Sequence, residues 1–464
     1  MDLSGKRVAV VGLARSGLAA IELLVSRGAR VVATDVKPLS ALPDAAAVLE
    51  RHSVPFALQS PEVFREVELV VLSPGVPPHS VVLEEARQRG VWVIGEVELA
   101  AWFLQGPVIG ITGTNGKTTT TVLTGHLLAS AGIPAQVGGN TGMGFPAASA
   151  LVATSRPEQW NVLEVSSFQL ETIEHFRAAI AVGLNVTPDH LDRHGTFEAY
   201  AAAKARLFET QTEDGYAVLN ADDPVCVRYA ARTPARAVWF SLTRPVAPGL
   251  WLDGGRIRFD DELLVEVNAI PLRGRHNLEN VMAASAAARL AGVDLRTIAA
   301  ALQTFRGVEH RLEFVRRAAG IEFYNDSKAT NVDAAIKAIE AFAGRLWVIL
   351  GGEDKKGSDF RPLAAALAGK ARGALLIGEA APRLAAALEG RVPYWECGTL
   401  AAAVEQAWQR AAPGDTVLLA PACASFDQFE NYEHRGRVFK ELVGRLHEAS
   451  RGKGRRAEEA WPNG

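Results

Sequence analysis

The sequence predicts an α/β protein of three domains, each containing a mostly parallel sheet flanked by helices. A chain of 464 residues is long enough for about three domains at ~150 residues each. Apolar runs of strand length alternate with helical stretches along most of the chain, as in βαβ units. Gly-rich turns follow apolar runs in all three parts, at Gly12–Gly17, Gly113–Gly116 and Gly351–Gly352. Such turns are typical of ligand loops at the carboxyl ends of parallel strands.

The order of these segments places the domains at residues 1–104, 105–308 and 309–449. We expect the first to be Rossmann-like, the second to be a parallel sheet with a phosphate loop, as in P-loop ATPases, and the third to be Rossmann-like again. Residues 450–464 form a polar and charged tail, which we expect to be disordered.

The composition excludes several kinds of partner. The net charge is −3 and the isoelectric point is about 6.4, so bulk electrostatics favour neither nucleic acid nor a membrane surface. No apolar run reaches the ~18 residues that a membrane span needs. The three cysteines match no metal spacing or disulfide framework, and the sequence starts without a signal peptide. We therefore expect a cytoplasmic monomer that acts on small molecules.

The first hundred residues contain a βαβ unit. An apolar strand leads into the turn Gly12–Gly17, a helix follows, and the second strand ends at Asp35. Position 14 is Ala, so the middle glycine of the dinucleotide fingerprint is missing. The pattern still predicts a polar ligand at the strand ends. A later buried strand runs into Ser73-Pro74-Gly75, which is either a second ligand loop or a plain Pro-rich turn.

The second domain opens with a strand, a Gly-rich turn and a helix. The turn reads Gly113-Thr114-Asn115-Gly116-Lys117-Thr118 and is followed by Thr119. Backbone N–H groups in such a turn bind phosphate oxygens, a lysine reaches the β- and γ-phosphates, and the hydroxyl of the next residue holds Mg²⁺. The strict pattern has a glycine where this chain has Ile111, so a plain Gly turn is the alternative.

Polar residues at the ends of the following strands suit a cation site. Glu164 ends one strand, and the next runs into Asp189-His190. Because Mg²⁺ prefers oxygen ligands and shares them with nucleotide phosphates, we expect Thr118 and Glu164 to hold it. From the residues alone, His190 is a structural hydrogen bonder and Lys204 a solvent-facing lysine on an alanine-rich helix.

Two asparagines of this domain also allow two interpretations. Asn140 follows the Gly-rich turn Gly138–Gly139, and Asn280 lies near the start of a predicted helix. Each is either a ligand contact or an ordinary turn or cap residue.

The third domain has three strands that end in polar residues. They run into Asp326-Ser-Lys328-Ala-Thr330-Asn331, into the Gly351 turn, and into Pro421-Ala-Cys-Ala-Ser425-Phe426. This pattern predicts a doubly wound sheet with a ligand at its switch point. A capped helix start is the alternative for the first of these runs.

Taken together, these motifs resemble those of the Mur ligases, the ATP-dependent amino-acid ligases of peptidoglycan precursor synthesis. The resemblance covers about residues 5–447. The motifs that carry the resemblance are Gly113–Thr118, Asp189–Asp192, the Gly-x-His-Asn-x-x-Asn run that ends at Asn280, Asp326–Asn331 and Pro421–Ser425. The last two are most similar to the branch of the family that adds glutamate to the alanyl precursor, although Ala420 replaces a frequent Ser. The Asn-Pro-Arg signature of the diaminopimelate or lysine branch is absent from the sequence.

The resemblance implies roles for individual residues. The UDP-substrate would contact Gly12, Arg15, Ser16, Gly17, Asp35, Ser73, Pro74, Gly75, Asn140 and His190. ATP would contact Gly113, Thr114, Asn115, Gly116, Lys117, Thr118, Thr119, Asn280, Arg311 and Asp326. Two Mg²⁺ ions would be held by Thr118, Glu164, His190 and Lys204, the last as a carbamate formed with CO₂. The catalytic set would be Lys117, His190, Lys204 and Lys328.

The third domain would bind glutamate and close on ATP. Its implied glutamate contacts are Thr330, Lys356, Ser425, Phe426 and Tyr432. The loop that carries Lys356 is one residue longer than in some relatives, so Lys355 is the alternative. Tyr432 stands where some relatives have Phe.

The implied reaction joins glutamate to UDP-N-acetylmuramoyl-L-alanine through an acyl phosphate, with ATP as the phosphate donor. The sequence leaves open whether the glutamate is D or L. Three alternatives remain: a folylpolyglutamate synthase, which shares the phosphate loop but normally lacks the first domain; a nucleotide-dependent dehydrogenase, which leaves that loop idle; and a non-enzymatic nucleotide switch.

Overall fold

The computed structural model describes residues 1–140, 144–354 and 357–446. They form an α/β protein with three mainly parallel sheets, which confirms the predicted fold class. The chain divides into two compact units. The first comprises Met1–Ile270 and His276–Phe305, and the second comprises Pro271–Arg275 and the chain from Arg306 onward. Lys355, Lys356 and the tail 450–464 lie outside the described residues.

The first sheet has five parallel strands in the order β3-β2-β1-β4-β5. Its strands are β1 Arg7–Val11, β2 Arg30–Asp35, β3 Phe56–Leu58, β4 Leu69–Leu72 and β5 Trp92–Gly95, and its helices are α1 Arg15–Ser26, α2 Pro43–His52, α3 Val81–Gln88 and α4 Glu96–Ala101. The strand order reverses between β1 and β4, so the loops after these two strands flank a switch point, where ligands bind in such sheets.

The second sheet has nine strands in the order β14-β13-β12-β11-β10-β9-β6-β8-β7. Its strands are β6 Val108–Thr112, β7 Ala135–Gly139, β8 Trp160–Glu164, β9 Ile180–Gly183, β10 Tyr216–Asn220, β11 Arg236–Ser241, β12 Gly249–Asp253, β13 Arg256–Phe259 and β14 Glu262–Glu266. The helices are α5 Lys117–Ser130, α6 Ala148–Leu151, α7 Ser167–Leu170, α8 Leu191–His194, α9 Phe197–Glu209, α10 Pro224–Tyr229, α11 Arg275–Leu290 and α12 Leu295–Thr304. The sheet is parallel from β7 to β12, and β13 and β14 extend it as antiparallel strands.

The second unit contains a six-stranded sheet in the order β15-β16-β20-β17-β18-β19, parallel except for β15. Its strands are β15 Glu313–Ala318, β16 Ile321–Asn325, β17 Leu346–Gly351, β18 Ala371–Ile377, β19 Tyr394–Gly398 and β20 Thr416–Leu419. The helices are α13 Val332–Glu340, α14 Arg361–Leu367, α15 Ala381–Leu388, α16 Leu400–Arg410 and α17 Tyr432–Gly444. The loops after β16, β17 and β20 therefore lie side by side.

The apolar cores lie on the faces of the sheets. One apolar cluster runs through the first unit and includes residues of both sheets, from Leu3 to Tyr229. In the second unit, two clusters cover the two faces of the sheet, one containing Leu350 and the other Ile349. Alternate residues of a strand point to opposite faces, so β17 contributes to both. Within the described ranges, every helix is too short or too polar to cross a membrane.

A buried carboxylate joins the two sheets of the first unit. Glu98, on α4, is fully buried and accepts three backbone N–H groups in succession, from Glu174, His175 and Phe176, at 2.8, 2.8 and 3.0 Å. The indole N–H of Trp102 donates to the same carboxylate over 3.0 Å, and the His175 ring lies at the same distance. Five polar contacts compensate the buried charge, so Glu98 holds α4 against the chain between β8 and β9.

Candidate active site

The phosphate loop is shaped by a glycine and by a lysine that folds back over it. Gly116 has φ +87°, and a Cβ there would lie 2.1 Å from Oδ1 of Asn280, so only glycine fits. Helix α5 begins at Lys117, and the Lys117 ammonium donates to the carbonyls of Gly113 and Thr114 at 3.0 and 2.9 Å. The turn thus combines a helix N-terminus with a cation, an arrangement suited to phosphate.

The pairing of β6 with β8 brings the two predicted magnesium ligands together. The Thr118 hydroxyl donates to Oε2 of Glu164 over 2.7 Å, and both side chains are buried. A hydroxyl and a carboxylate are the oxygen donors that Mg²⁺ prefers, and Mg²⁺ usually takes its other ligands from phosphate and water. In the described part of the chain no cluster of three His, Cys, Asp or Glu side chains is arranged to hold a metal. This pair therefore fits an ion that is completed by a nucleotide.

His190 lies just before α8 in a left-handed backbone conformation, with φ +51°. Its ring packs against Phe168, with 4.9 Å between centroids, and its Nε2 lies 3.5 Å from Asp189. The ring is half exposed and available to a ligand. Its predicted roles as a metal ligand and a catalytic group stay predictions.

Lys204 is buried, which makes its interpretation as a solvent-facing lysine wrong. It lies on α9 with 1% exposure, and its Nζ donates to the Gly113 carbonyl over 2.8 Å and lies 4.5 Å from the Tyr200 ring centroid. Burial, and then the positive charge of Lys117, hold the pKa of Lys204 well below its ordinary value. A neutral amine is the form that attacks CO₂, and a neighbouring cation favours the carbamate anion that results. The site therefore fits the predicted modification.

The predicted UDP-substrate residues meet at the switch point of the first sheet. Asp35 accepts the backbone N–H of Leu13 over 2.9 Å, and the Ser73 hydroxyl donates to the Gly12 carbonyl over 2.7 Å. A Cβ at Gly17 would lie 1.9 Å from that carbonyl, so the turn requires glycine. Two further predicted residues, Arg15 and Ser16, open α1 beside them.

Arg193, which the sequence did not single out, supports the loops at the switch point of the first sheet. Arg193, on α8, donates to the carbonyl of Val76 over 3.0 Å and to Glu171 over 2.9 Å. Its guanidinium lies 4.7 Å from the Phe168 ring centroid, beside a narrow cavity that Ser73 and Pro74 also line. Predicted substrate residue Gly75 accepts from the same guanidinium over 3.4 Å. Arg193 thus fixes the Ser73–Val76 turn against the helix that follows His190.

Asn140 and Asn280, for which the sequence allowed two interpretations, lie at different parts of the site. The Asn140 backbone N–H donates to the Glu164 carbonyl over 2.9 Å, which puts Asn140 beside the two predicted magnesium ligands. Asn280 is buried in the second turn of α11, so it is not the helix cap. Its Oδ1 accepts from Thr120 over 3.3 Å, and its amide donates to Asn277 over 3.0 Å. Asn280 therefore packs beneath the phosphate loop.

In the second unit, the strand-end loops gather the other predicted residues. The Lys328 ammonium lies 3.9 Å from the centroid of the Tyr432 ring. Asp326 accepts the N–H of Leu312, next to Arg311, over 3.2 Å. Burial raises the pKa of Asp326 to about 7, against the opposing effects of that N–H and of Arg311.

The loop after β20 and the start of α13 complete this set. Ser425 is buried, whereas Phe426 is 59% exposed. Asn331 caps α13 by accepting the N–H of Ala334 over 2.9 Å. The capped helix start proposed as an alternative is therefore present, but it uses Asn331 and leaves Thr330 outside the cap.

Comparison with known proteins agrees with this arrangement. Family models match along the chain: the MurD-like N-terminal domain of Mur ligases at residues 6–95, the Mur ligase middle domain at 111–288, and the Mur ligase glutamate ligase domain at 310–423. The UDP-N-acetylmuramoylalanine–D-glutamate ligase of Solibacter usitatus (strain Ellin6076) is 59% identical over 96% of this chain and 99% of its own length. This chain belongs to the Mur ligase family. The enzyme of the same name from Acidobacterium capsulatum is 52% identical over 96% of this chain and 97% of its own length.

Solved Mur ligase structures share the fold. UDP-N-acetylmuramate-alanine ligase MurC from Thermotoga maritima aligns with a TM-score of 0.59 at 18% identity, covering 94% of this chain and 99% of that one. The match of residues 6–95 to a MurD-like N-terminal domain also separates this chain from a folylpolyglutamate synthase, which normally lacks the first domain.

Proposed function

We propose that this Mur ligase joins D-glutamate to UDP-N-acetylmuramoyl-L-alanine in peptidoglycan precursor synthesis, with ATP converted to ADP and phosphate. The observation that carries the proposal is the full-length similarity to ligases named for this reaction, at 59% identity over 96% of the chain. The paired Thr118 and Glu164 at the phosphate loop support the use of ATP with Mg²⁺. The reaction takes place in the cytoplasm, and the chain works as a monomer.

The reaction begins when the alanyl carboxylate attacks the γ-phosphorus of ATP, which gives an acyl phosphate and ADP. The glutamate amine then attacks the acyl carbon, and phosphate leaves. Lys117 and the N–H groups at the start of α5 neutralise the charge that builds on the phosphate oxygens. Thr118 and Glu164 would hold one Mg²⁺, and His190 and carbamylated Lys204 would hold a second; such ions would supply further neutralisation of this charge.

The carbamate on Lys204 is supported by the burial of the amine and by its depressed pKa. Its formation replaces a buried amine beside Lys117 with an anion. The anion pairs with the positive charge of Lys117, which is favourable in a site shielded from water.

The remaining substrate residues divide between the two units. In the first, the UDP moiety binds at the Gly12–Gly17 turn, Asp35 and Ser73–Gly75, and Asn140 and His190 bind the sugar side. Asn280 and the phosphate loop bind ATP. In the second, Arg311 and Asp326 bind ATP and Lys328 lies near the γ-phosphate. Glutamate binds to Thr330, Ser425, Phe426, Tyr432 and Lys356, of which Lys356 lies outside the described residues.

The test is phosphate release from ATP with UDP-N-acetylmuramoyl-L-alanine and either D- or L-glutamate. We expect release only with both substrates and the D-isomer, and a product heavier by one glutamate residue in mass spectrometry. Release with the UDP-sugar and L-glutamate, but not with the UDP-sugar and D-glutamate, would show that the substrate is the L-isomer. Release with a folate and glutamate in place of the UDP-sugar, or ATP binding without turnover in any mixture, would contradict the proposal.

A further inference from the structure

A guanidinium lies in the interior of the second unit and donates to neutral oxygens. Arg435, in the first turn of α17, is 0% exposed. Among the residues that the structure describes, no carboxylate lies within ion-pair distance of it, and the charge of Asp427 acts on it only from farther away. Its donors go instead to neutral oxygens: Nε to the Ser327 hydroxyl over 3.0 Å and Nη2 to the Ser327 carbonyl over 2.9 Å. Nη1 donates to the carbonyls of Cys423 and Ala424, both over 3.2 Å.

These bonds join the loops that carry the proposed ligand groups. Ser327 lies between Asp326 and Lys328 in the loop after β16, and Ala424 precedes Ser425 in the loop after β20. The Ser327 hydroxyl also donates to the carbonyl of Tyr432 over 2.8 Å, which attaches the start of α17. One side chain thus sets the spacing between Lys328, Ser425 and Tyr432.

The loop after β17 meets the same guanidinium. Ala424 and Glu353 exchange backbone hydrogen bonds of 3.0 and 3.1 Å. A Cβ at Gly352 would lie 2.1 Å from the Ala424 carbonyl and 3.1 Å from Nη1 of Arg435, so position 352 requires glycine. Arg435 therefore lies at the point where all three strand-end loops converge.

The direction of the peptide groups matters for an anionic ligand. In a trans peptide, the C=O and the following N–H point to opposite sides. Because the Ala424 carbonyl points to Arg435, the N–H of Ser425 points away from the guanidinium. A carboxylate at Ser425 would then meet a backbone donor, a hydroxyl and the positive potential of the buried cation behind them.

Stability alone is a poor reason for a cation at this position. Burial lowers the pKa of Arg435 to about 10, which expresses the cost of removing its charge from water. A buried charge can often be replaced by an apolar side chain of similar size without loss of stability. The guanidinium does what an apolar side chain cannot, since it holds several carbonyls in a fixed orientation.

We infer that Arg435 is a positioning residue for the amino-acid substrate, which orients the Ser425 loop and the start of α17 so that Ser425 and Tyr432 bind glutamate, and which holds the Lys328 loop beside them. The inference rests on the proposed function. Arg435 itself is too deeply buried to touch the substrate, so its effect passes through Ser425, Lys328 and Tyr432.

The experiment compares Arg435→Lys and Arg435→Met with Arg437→Lys and Arg437→Met. Arg437 is exposed on the same helix and serves as the matched control. We measure kcat and the KM values for glutamate, ATP and the UDP-sugar, together with the thermal midpoint. We expect Arg435→Lys to raise the KM for glutamate roughly tenfold or more and to leave the KM for the UDP-sugar within about twofold. The KM for ATP should rise less than that for glutamate, since Arg435 also holds Ser327 between Asp326 and Lys328. Arg435→Met should have a larger effect of the same kind, and both Arg437 variants should behave as wild type.

The outcomes are distinguishable. A lower thermal midpoint with an unchanged KM for glutamate would make Arg435 a purely structural residue and overturn the inference, as would an equal rise in all three KM values. If Arg435→Met does not fold, Arg435→Lys and Ser327→Ala, which removes one acceptor, decide the question by the same KM pattern. A wild-type enzyme without glutamate-dependent phosphate release would overturn the proposed function first, and the inference with it.

Discussion

The Nζ of Lys204 donates to the carbonyl of Gly113 over 2.8 Å, so a lysine on α9 contacts the first glycine of the phosphate loop. The same carbonyl accepts from Lys117 over 3.0 Å. Two amines therefore share one acceptor in a buried place, where two full positive charges repel each other strongly. Burial, and then the charge of Lys117, hold the pKa of Lys204 well below its ordinary value.

Carbamylation of Lys204 can be tested by CO₂ dependence. We expect activity to fall in CO₂-free buffer and to return with bicarbonate, because the lowered pKa of Lys204 favours the neutral amine that reacts with CO₂. Lys204→Met should lose about a hundredfold or more of kcat, as expected when a group that organises a metal is removed. The carbamate carbon should appear in NMR spectra after addition of ¹³C-bicarbonate. No such signal, together with activity that ignores CO₂, would contradict the modification.

Replacement of Thr118 tests the magnesium pair. Thr118→Ala removes the hydroxyl that faces Glu164, and we expect the Mg²⁺ concentration for half-maximal activity to rise about tenfold or more. Thr118→Ser should keep most of the activity. Thr121→Ala is the matched control, since the Thr121 hydroxyl donates only to the Lys117 carbonyl within the same helix. Equal Mg²⁺ dependence in the variants at 118 and 121 would exclude the assignment.

The raised pKa of Asp326 predicts that stability depends on pH in the absence of ligands. Its pKa is raised to about 7 in the folded protein, so the folded state binds a proton more readily than the unfolded state. The wild type therefore loses stability as pH rises from about 4 to about 7, with no further loss from this group above that range. We expect Asp326→Asn to raise the thermal midpoint relative to wild type at pH 8, and to raise it less at pH 5.

The control for this pH experiment is Asp359→Asn. Asp359 is exposed, and its neighbour Arg361 lowers the pKa of Asp359 to about 2. It stays ionised in both states from pH 5 to 8, so its replacement should shift the midpoint equally at both pH values. A shift for Asp326→Asn that is also the same at pH 5 and 8 would show that Asp326 does not titrate in this range.

Loss of the Glu98 carboxylate should destabilise the first unit. Glu98→Ala leaves three backbone N–H groups and the Trp102 indole without their acceptor, and we expect a loss of about 3 kcal/mol in the free energy of unfolding. Glu174→Ala is the control, since the Glu174 side chain is exposed and only its backbone N–H meets Glu98. The measurement is denaturant unfolding, and losses of equal size in the two variants would contradict the assigned role.

Local chemistry made part of this protein predictable from sequence. The phosphate loop, the glycine turn at Gly12–Gly17 and the acidic strand ends could be predicted because a few adjacent residues specify a turn or a strand end. The predicted mostly parallel sheets are present, but the antiparallel strands that extend them, β13, β14 and β15, were not anticipated. Strand pairing at an edge depends on partners rather than on a local pattern.

The burial of single charged residues could not be read in the same way. Lys204 stands among alanines on a helix, and its partner Gly113 is 91 residues away. Arg193 and Arg435 likewise act through carbonyls of distant segments, at Val76 and at Ser327. Carbonyls belong to every residue type, so no sequence pattern marks them as acceptors for a particular arginine.

The anchoring of α4 by Glu98 has a consequence for protein engineering. The acceptor is contributed before the phosphate loop, and the three donors are contributed by Glu174, His175 and Phe176, well after it. A chimera that exchanges the first hundred residues with those of a relative would therefore replace the acceptor and keep the backbone donors. Such an exchange should succeed where the relative supplies a carboxylate at the position of Glu98, so one side chain decides whether the first domain can be transplanted.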